Sequence, residues 1–147
     1  MMDLTKSPPR SVRATMLGIV QLARTTDKAQ ATANGRAGEY EYGCPMDQGL
    51  FEYLGMDAAE FFGVVKSAKN DSVIEAYANT FVARKDRQSL DSFNRSWVSS
   101  VPTGESLKAF YDLRAQVAPN RTDVTSWSDL LDIEEGRTVP RREVAHA

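Results

Sequence analysis

The residues best suited to chemistry crowd into one stretch, RTTDKAQATANGRAGEYEYGCPMDQ, running from Arg24 to Gln48. Cys44 lies between Gly43 and Pro45. Proline is favoured at the first position of a helix, and the partial positive charge of a helix start suits a nucleophilic thiolate. The competing reading is a small thiol packed beneath a loop. Glu39 and Asp47, with Glu52 nearby in sequence, offer carboxylates for general acid and base work; the competing reading is that they are solvated or salt-bridged. Arg24 and Lys28 are four residues apart, so a helix places both on one face. With Arg10 from the preceding segment they can clamp a carboxylate or phosphate, unless they pair with Glu39 or Glu41 instead. Tyr40 and Tyr42 offer rings and hydroxyls to a ligand, or pack half-buried with the hydroxyl at the rim. The candidates are therefore Cys44, Glu39 and Asp47 for catalysis, and Arg10, Arg24, Lys28, Tyr40 and Tyr42 for ligand binding. No metal site and no cofactor is expected.

Much chemistry is excluded. The single histidine, His146, is the second-last of 147 residues. A Ser-His-Asp or Cys-His machine, a histidine-built catalytic zinc site and the facial triad of non-haem iron all need an oriented imidazole within the domain. One cysteine allows neither an internal disulfide nor a thiolate cluster, and fits a reducing cytoplasm. Neither G-x-x-x-x-G-K-[ST] nor G-x-G-x-x-G occurs, and no EF-hand loop. A metal held by carboxylates alone needs no special spacing and stays open. The opening residues lack the apolar core of a signal peptide, and no run reaches the roughly 20 apolar residues of a membrane span. The net charge of −2 gives no general attraction for nucleic acid. The charge is unevenly spread, with six basic residues against two acids over 1–36 and eight acids against two lysines over 37–75. Either these segments pair in the fold, or a basic arm receives an anion.

The elements that must position these groups are mostly helical. Pro8 and Pro9 make residues 1–10 an extended arm. Val12, Met16, Ile19, Val20 and Ala23 recur at helical spacing behind Ser11 as N-cap, with Gly18 as a weak point. Asp27–Asn34 reads as a second helix or a continuation, ending at Gly35. Residues 36–44 alternate like a short edge strand or extended loop. Pro45 opens a helix with Leu50, Phe51 and Leu54, closed by Gly55. Asp57 and Glu60 form a capping pattern before a helix carrying Phe61, Phe62, Val64 and Val65. Asp71 or Ser72 caps the next, the clearest amphipathic segment, with Ile74, Tyr77, Ala78, Phe81 and Val82. Further helices follow around Leu90–Val98, capped by Ser89, around Leu107–Val117, and after Ser126. The tail from Arg137 has no apolar period and is mobile unless docked. The expectation is an all-α protein: an extended arm over 1–10, one helical domain over 11–136 with at most one short strand-like segment, and a flexible tail over 137–147.

Several of these residues also carry a likeness. Asp-Leu-Thr-Lys-Ser-Pro-Pro-Arg (3–10), the Arg24–Lys28 segment, Gly38-Glu-Tyr with Cys44-Pro45, Leu54-Gly-Met-Asp57 and Asp132–Arg137 resemble a bacterial family known as domain of unknown function 5069. The likeness spans Asp3 to about Arg137, and the opening octapeptide is its most specific part. It implies a stand-alone soluble protein and brings no activity, cofactor or site residue.

Three functions remain. The first is a binding module in which Arg10, Arg24 and Lys28, with the Tyr40/Tyr42 loop, take a small anionic ligand or a partner's acidic segment. The second is a histidine-independent enzyme using Cys44 or the carboxylates. The third is an oligomeric adaptor built on the Trp127 helix and basic tail. Cytoplasmic location is expected, with neither nucleic acid nor membrane as partner.

Overall fold

A computed structural model describes residues 2–143; His146 lies outside the described residues. The fold is mostly helical, with seven helices and one two-stranded sheet among those residues. By its internal contacts the chain divides into two compact units, Met1–Asn94 and Arg95–Ala147.

The first unit departs from expectation near its start. Residues 11–20 are not helical. They form a small hairpin of β1 (Thr15–Met16) and β2 (Ile19–Val20), antiparallel with Thr15 opposite Val20 and Met16 opposite Ile19. The turn residues Leu17 and Gly18 have φ of 59° and 80°, which no right-handed helix accommodates. A two-residue hairpin turn of this kind needs positive φ at both central positions. Gly18 adopts it without cost, and Leu17 is strained. The side chain of Asn94 holds the turn, accepting from Val20 N at 3.0 Å and donating to Gly18 O at 3.0 Å. The spacing of Val12, Ile19 and Val20 reflects burial in the hairpin rather than a helix face. Ser11 caps only a local turn, its Oγ accepting from Arg13 N at 3.1 Å.

Helix α1 (Leu22–Ala33) takes in Ala23, the end of the first expected helix, and nearly all of the second, Asp27–Asn34. It starts directly from Gln21, whose φ of 72° is the second left-handed non-glycine position. Nine of its twelve residues are buried, including Arg24, Thr25, Thr26, Asp27 and Lys28. Residues 36–44, read as strand-like, contain no strand. Gly38 and Gly43 turn the backbone at φ of 60° and 87°, and Tyr40 N bonds locally to Ala37 O at 3.1 Å.

Helix α2 (Pro45–Leu54) opens with Pro45 and stops at left-handed Gly55. Helix α3 (Ala58–Ser67) has the foreseen cap, Asp57 Oδ2 accepting from Glu60 N at 2.8 Å. Helix α4 (Asp71–Val82) is capped one residue earlier than read, by Asn70 accepting from Val73 N. Helix α5 (Arg87–Val98) starts after Asp86, which accepts from Ser89 N at 2.7 Å, so Ser89 is not its cap. Helix α1 packs against α2, α3 and β1, and α3 against α4.

The second unit holds α6 (Ser106–Val117) and α7 (Trp127–Glu134), the latter capped by Ser126 as foreseen. Its core is Phe110, Val124 and Leu130, with Trp127 edge-on to Phe110 at 5.0 Å. Residues 137–143 are held against this unit. Val139 is buried, Arg142 makes two bonds of 3.1 Å to Asp129, and Arg121 donates to Pro140 O at 3.1 Å.

Candidate functional site

The sequence places Gln21, Thr25 and Lys28 on one stripe of a helix, at spacings of four and three residues. In α1 that stripe faces α2 and meets the carboxylate of Asp47. Lys28 Nζ lies 2.7 Å from Asp47 Oδ2, with side chains 3% and 0% exposed. Thr25 Oγ1 and Gln21 Nε2 donate to Oδ1 at 2.5 and 3.1 Å, and Gly43 N donates to Oδ2 at 2.9 Å. The Lys28 ammonium also donates to Glu41 O at 3.1 Å and to Cys44 Sγ at 3.2 Å. Burial alone would push the Asp47 carboxyl up. The Lys28 charge and the bonds from Lys28, Thr25 and Gly43 outweigh it and hold the carboxyl below its ordinary value. Cys44 itself is half-buried, in extended backbone at the N-cap of α2.

A second knot ties the arm to α1. Arg10 donates to Asp27 from its backbone N at 2.8 Å, from Nε at 3.1 Å and from Nη2 at 3.0 Å. Arg24, 4% exposed, donates to Arg10 O at 3.2 Å and lies over the Tyr40 ring at 5.7 Å. Tyr42 donates to Ala58 O at 2.6 Å and packs its ring on Phe51 and Phe62; burial, then the charge of Asp47, raises its hydroxyl well above the ordinary value. Glu39 is exposed.

The structure thus brings Lys28, Cys44 and Asp47 together, and separately Arg10, Arg24 and Tyr40. Glu39 joins neither group. The three cations read as an anion clamp already face acceptors of their own chain: Asp27 for Arg10, Asp47 for Lys28, and the Arg10 carbonyl for Arg24. Beside Tyr40 and Tyr42 there is a shallow apolar pocket of about 440 Å³, floored by Ala59 and Phe62.

A larger concavity lies elsewhere in the first unit. It encloses about 700 Å³ between the arm, the end of α1, the end of α3 and the start of α4. Lys6, Lys66 and Lys69 line it, all three exposed. Val65, Ile74 and Ala33 give it apolar wall, and Gln30, Asn34 and Asn70 add amides. Its two acids are already engaged. Asp71 Oδ1 accepts from Gln30 Nε2 at 3.0 Å, and Asp3 accepts from Thr5 N at 3.0 Å and Thr5 Oγ1 at 2.5 Å. The Thr5 bonds, then the charges of Arg36 and Lys6, hold Asp3 below its ordinary value.

Sequence reasoning missed Gln21 and Thr25 and all three lysines of this groove. The stripe Gln21–Thr25–Lys28 was a usable signal, because polar residues at helical spacing mark a common face whether that face is wet or buried. The lysines carried none, being spread over Lys6, Lys66 and Lys69 until the fold gathers them. Among the described residues no group of three or more histidine, cysteine or acidic side chains is placed to hold a metal, and no helix is long and apolar enough to cross a membrane.

No curated protein matches the sequence. A family model described as Domain of unknown function (DUF5069) matches residues 6–137. That span covers the arm from Lys6, the buried Lys28–Asp47 cluster and both units as far as Arg137, and on it the chain belongs to the DUF5069 family.

Proposed function

We propose that this chain is a binding module for a small anionic ligand, and that the ligand occupies the groove lined by Lys6, Lys66 and Lys69. The observation that carries the reading is that these three lysines share one concavity and form no ion pair among the described residues, whereas Arg10 and Lys28 are committed to Asp27 and Asp47. A volume of about 700 Å³ suits a small molecule. Asp3 and Asp71 also line the groove, so three lysines face two carboxylates, an excess of one positive charge. One cysteine fits work in a reducing cytoplasm, and the family likeness points to a bacterial one.

A thermal-shift screen with anionic metabolites tests this. A ligand at a hundred times its Kd stabilises by about 2.7 kcal/mol and raises the midpoint by roughly 5 °C or more. The shift is expected to vanish in the Lys66→Ala, Lys69→Ala double variant. If no anion shifts the midpoint, or the double variant shifts equally, the reading fails. An acidic peptide that outcompetes every small anion would make a partner's acidic segment the ligand instead.

One observation favours a second reading, a histidine-independent enzyme. Cys44 is half-buried with the Lys28 ammonium, itself paired to Asp47, 3.2 Å from Sγ; in this reading Cys44 would act as nucleophile, its thiolate favoured by that ammonium. Native-state alkylation by iodoacetamide reads it. Labelling of Cys44 only after denaturation would remove the nucleophile.

A further inference from the structure

The groove is not equally suited to every anion. No arginine lines it, so it lacks the planar fork that matches a carboxylate edge-on. Its cations are three lysines on three separate segments: Lys6 from the arm, Lys66 in the last turn of α3, and Lys69 in the link to α4. Ammonium groups act as point charges, and three of them lining one groove suit a head group that presents oxygens in several directions. Helix α4 begins in the same wall; Asn70 already caps its Val73 N–H, and Asp71 in its first turn is bonded by Gln30, so the positive charge of the groove comes from the lysines alone. Beside the charged part lie the half-buried Ala33 and Ala68, over the buried Val65 and Ile74, and the volume of about 700 Å³ far exceeds a bare inorganic ion.

We infer that the ligand of this groove is a phosphorylated small organic molecule, its phosphoryl group held by Lys6, Lys66 and Lys69 and its organic body lying against Ala33 and Ala68. This rests on the anion-binding reading and narrows it. The arm supplies Lys6 and the helices supply Lys66 and Lys69, so the phosphoryl group also bridges the arm to α3.

Three probes on the whole chain separate the outcomes by titration calorimetry: phenyl phosphate, benzoate and malonate. Phenyl phosphate should bind at least about tenfold more tightly than either carboxylate. Lys66→Gln and Lys69→Gln should each weaken it by about tenfold, the usual scale for one charge-assisted contact. Both lysines are exposed, so unchanged ligand-free melting confirms that the variants fold. If benzoate or malonate binds as tightly as phenyl phosphate, the phosphoryl inference is wrong and the anion-binding reading stands. If all three fail to bind, both are wrong. If phenyl phosphate binds wild type and both variants equally, the site lies elsewhere and the inference is overturned.

Discussion

All four acceptor positions of the Asp47 carboxylate are occupied, by Gln21, Thr25, Lys28 and Gly43. A charge this deeply buried persists only when so satisfied. Lys28→Met removes the only cation from the set and leaves the carboxylate buried without its counter-charge. It is expected to cost about 3–5 kcal/mol in urea unfolding, whereas the Lys28→Met, Asp47→Leu double variant recovers much of that loss. The pair also sets a pH dependence. The folded carboxyl titrates below its unfolded value, so its contribution is fully present above the unfolded value of about 3.9 and is lost as pH falls through the folded one. Stability is expected to drop below about pH 4, and the drop should be shallower in Asp47→Asn. An equally steep acid limb in that variant would place the dependence on other carboxylates.

Among the elements, the N-terminal arm depends most on backbone geometry. Leu4 is buried, its N–H bonds Arg36 O at 2.9 Å, and a Cβ at Gly38 would sit 3.0 Å from Leu4 O. Gly38 is also at φ of 60°, where an L-residue is strained. Gly38→Ala is therefore expected to destabilise by more than about 1 kcal/mol and to loosen the arm. Since the arm carries Lys6, the same variant should weaken anion binding without touching a lysine. Arm amides that exchange no faster than in wild type would disprove the link. Helices whose ends are written into the chain needed no such help: Pro45 starts α2, Gly55 stops it, and Asp57 and Ser126 cap α3 and α7.

At the scale of the molecule, residues 137–143 show how a segment without apolar period can still be fixed. Val139 is buried there, and Asp123 and Asp129 accept from Arg142. Val139→Asp gives up roughly 2 kcal/mol of burial and should raise amide exchange across 137–143 by tenfold or more. Unchanged exchange would mean that the arginine bonds alone hold the segment. The sequence by itself determined the helical class and most helix ends after Pro45, because capping residues and apolar spacing act locally. It did not determine the hairpin at Leu17–Gly18, since Val12, Ile19 and Val20 fit a helix face as well as a buried turn. Nor did it tell which charges neutralise one another. That Asp47 meets Lys28, that Arg10 meets Asp27, and that Lys6, Lys66 and Lys69 share a groove were decided by the packing of the arm and α1 against their neighbours. Charge pairing depends on distance in space, and Arg10 and Asp27, or Lys28 and Asp47, come within reach of each other only when the chain folds.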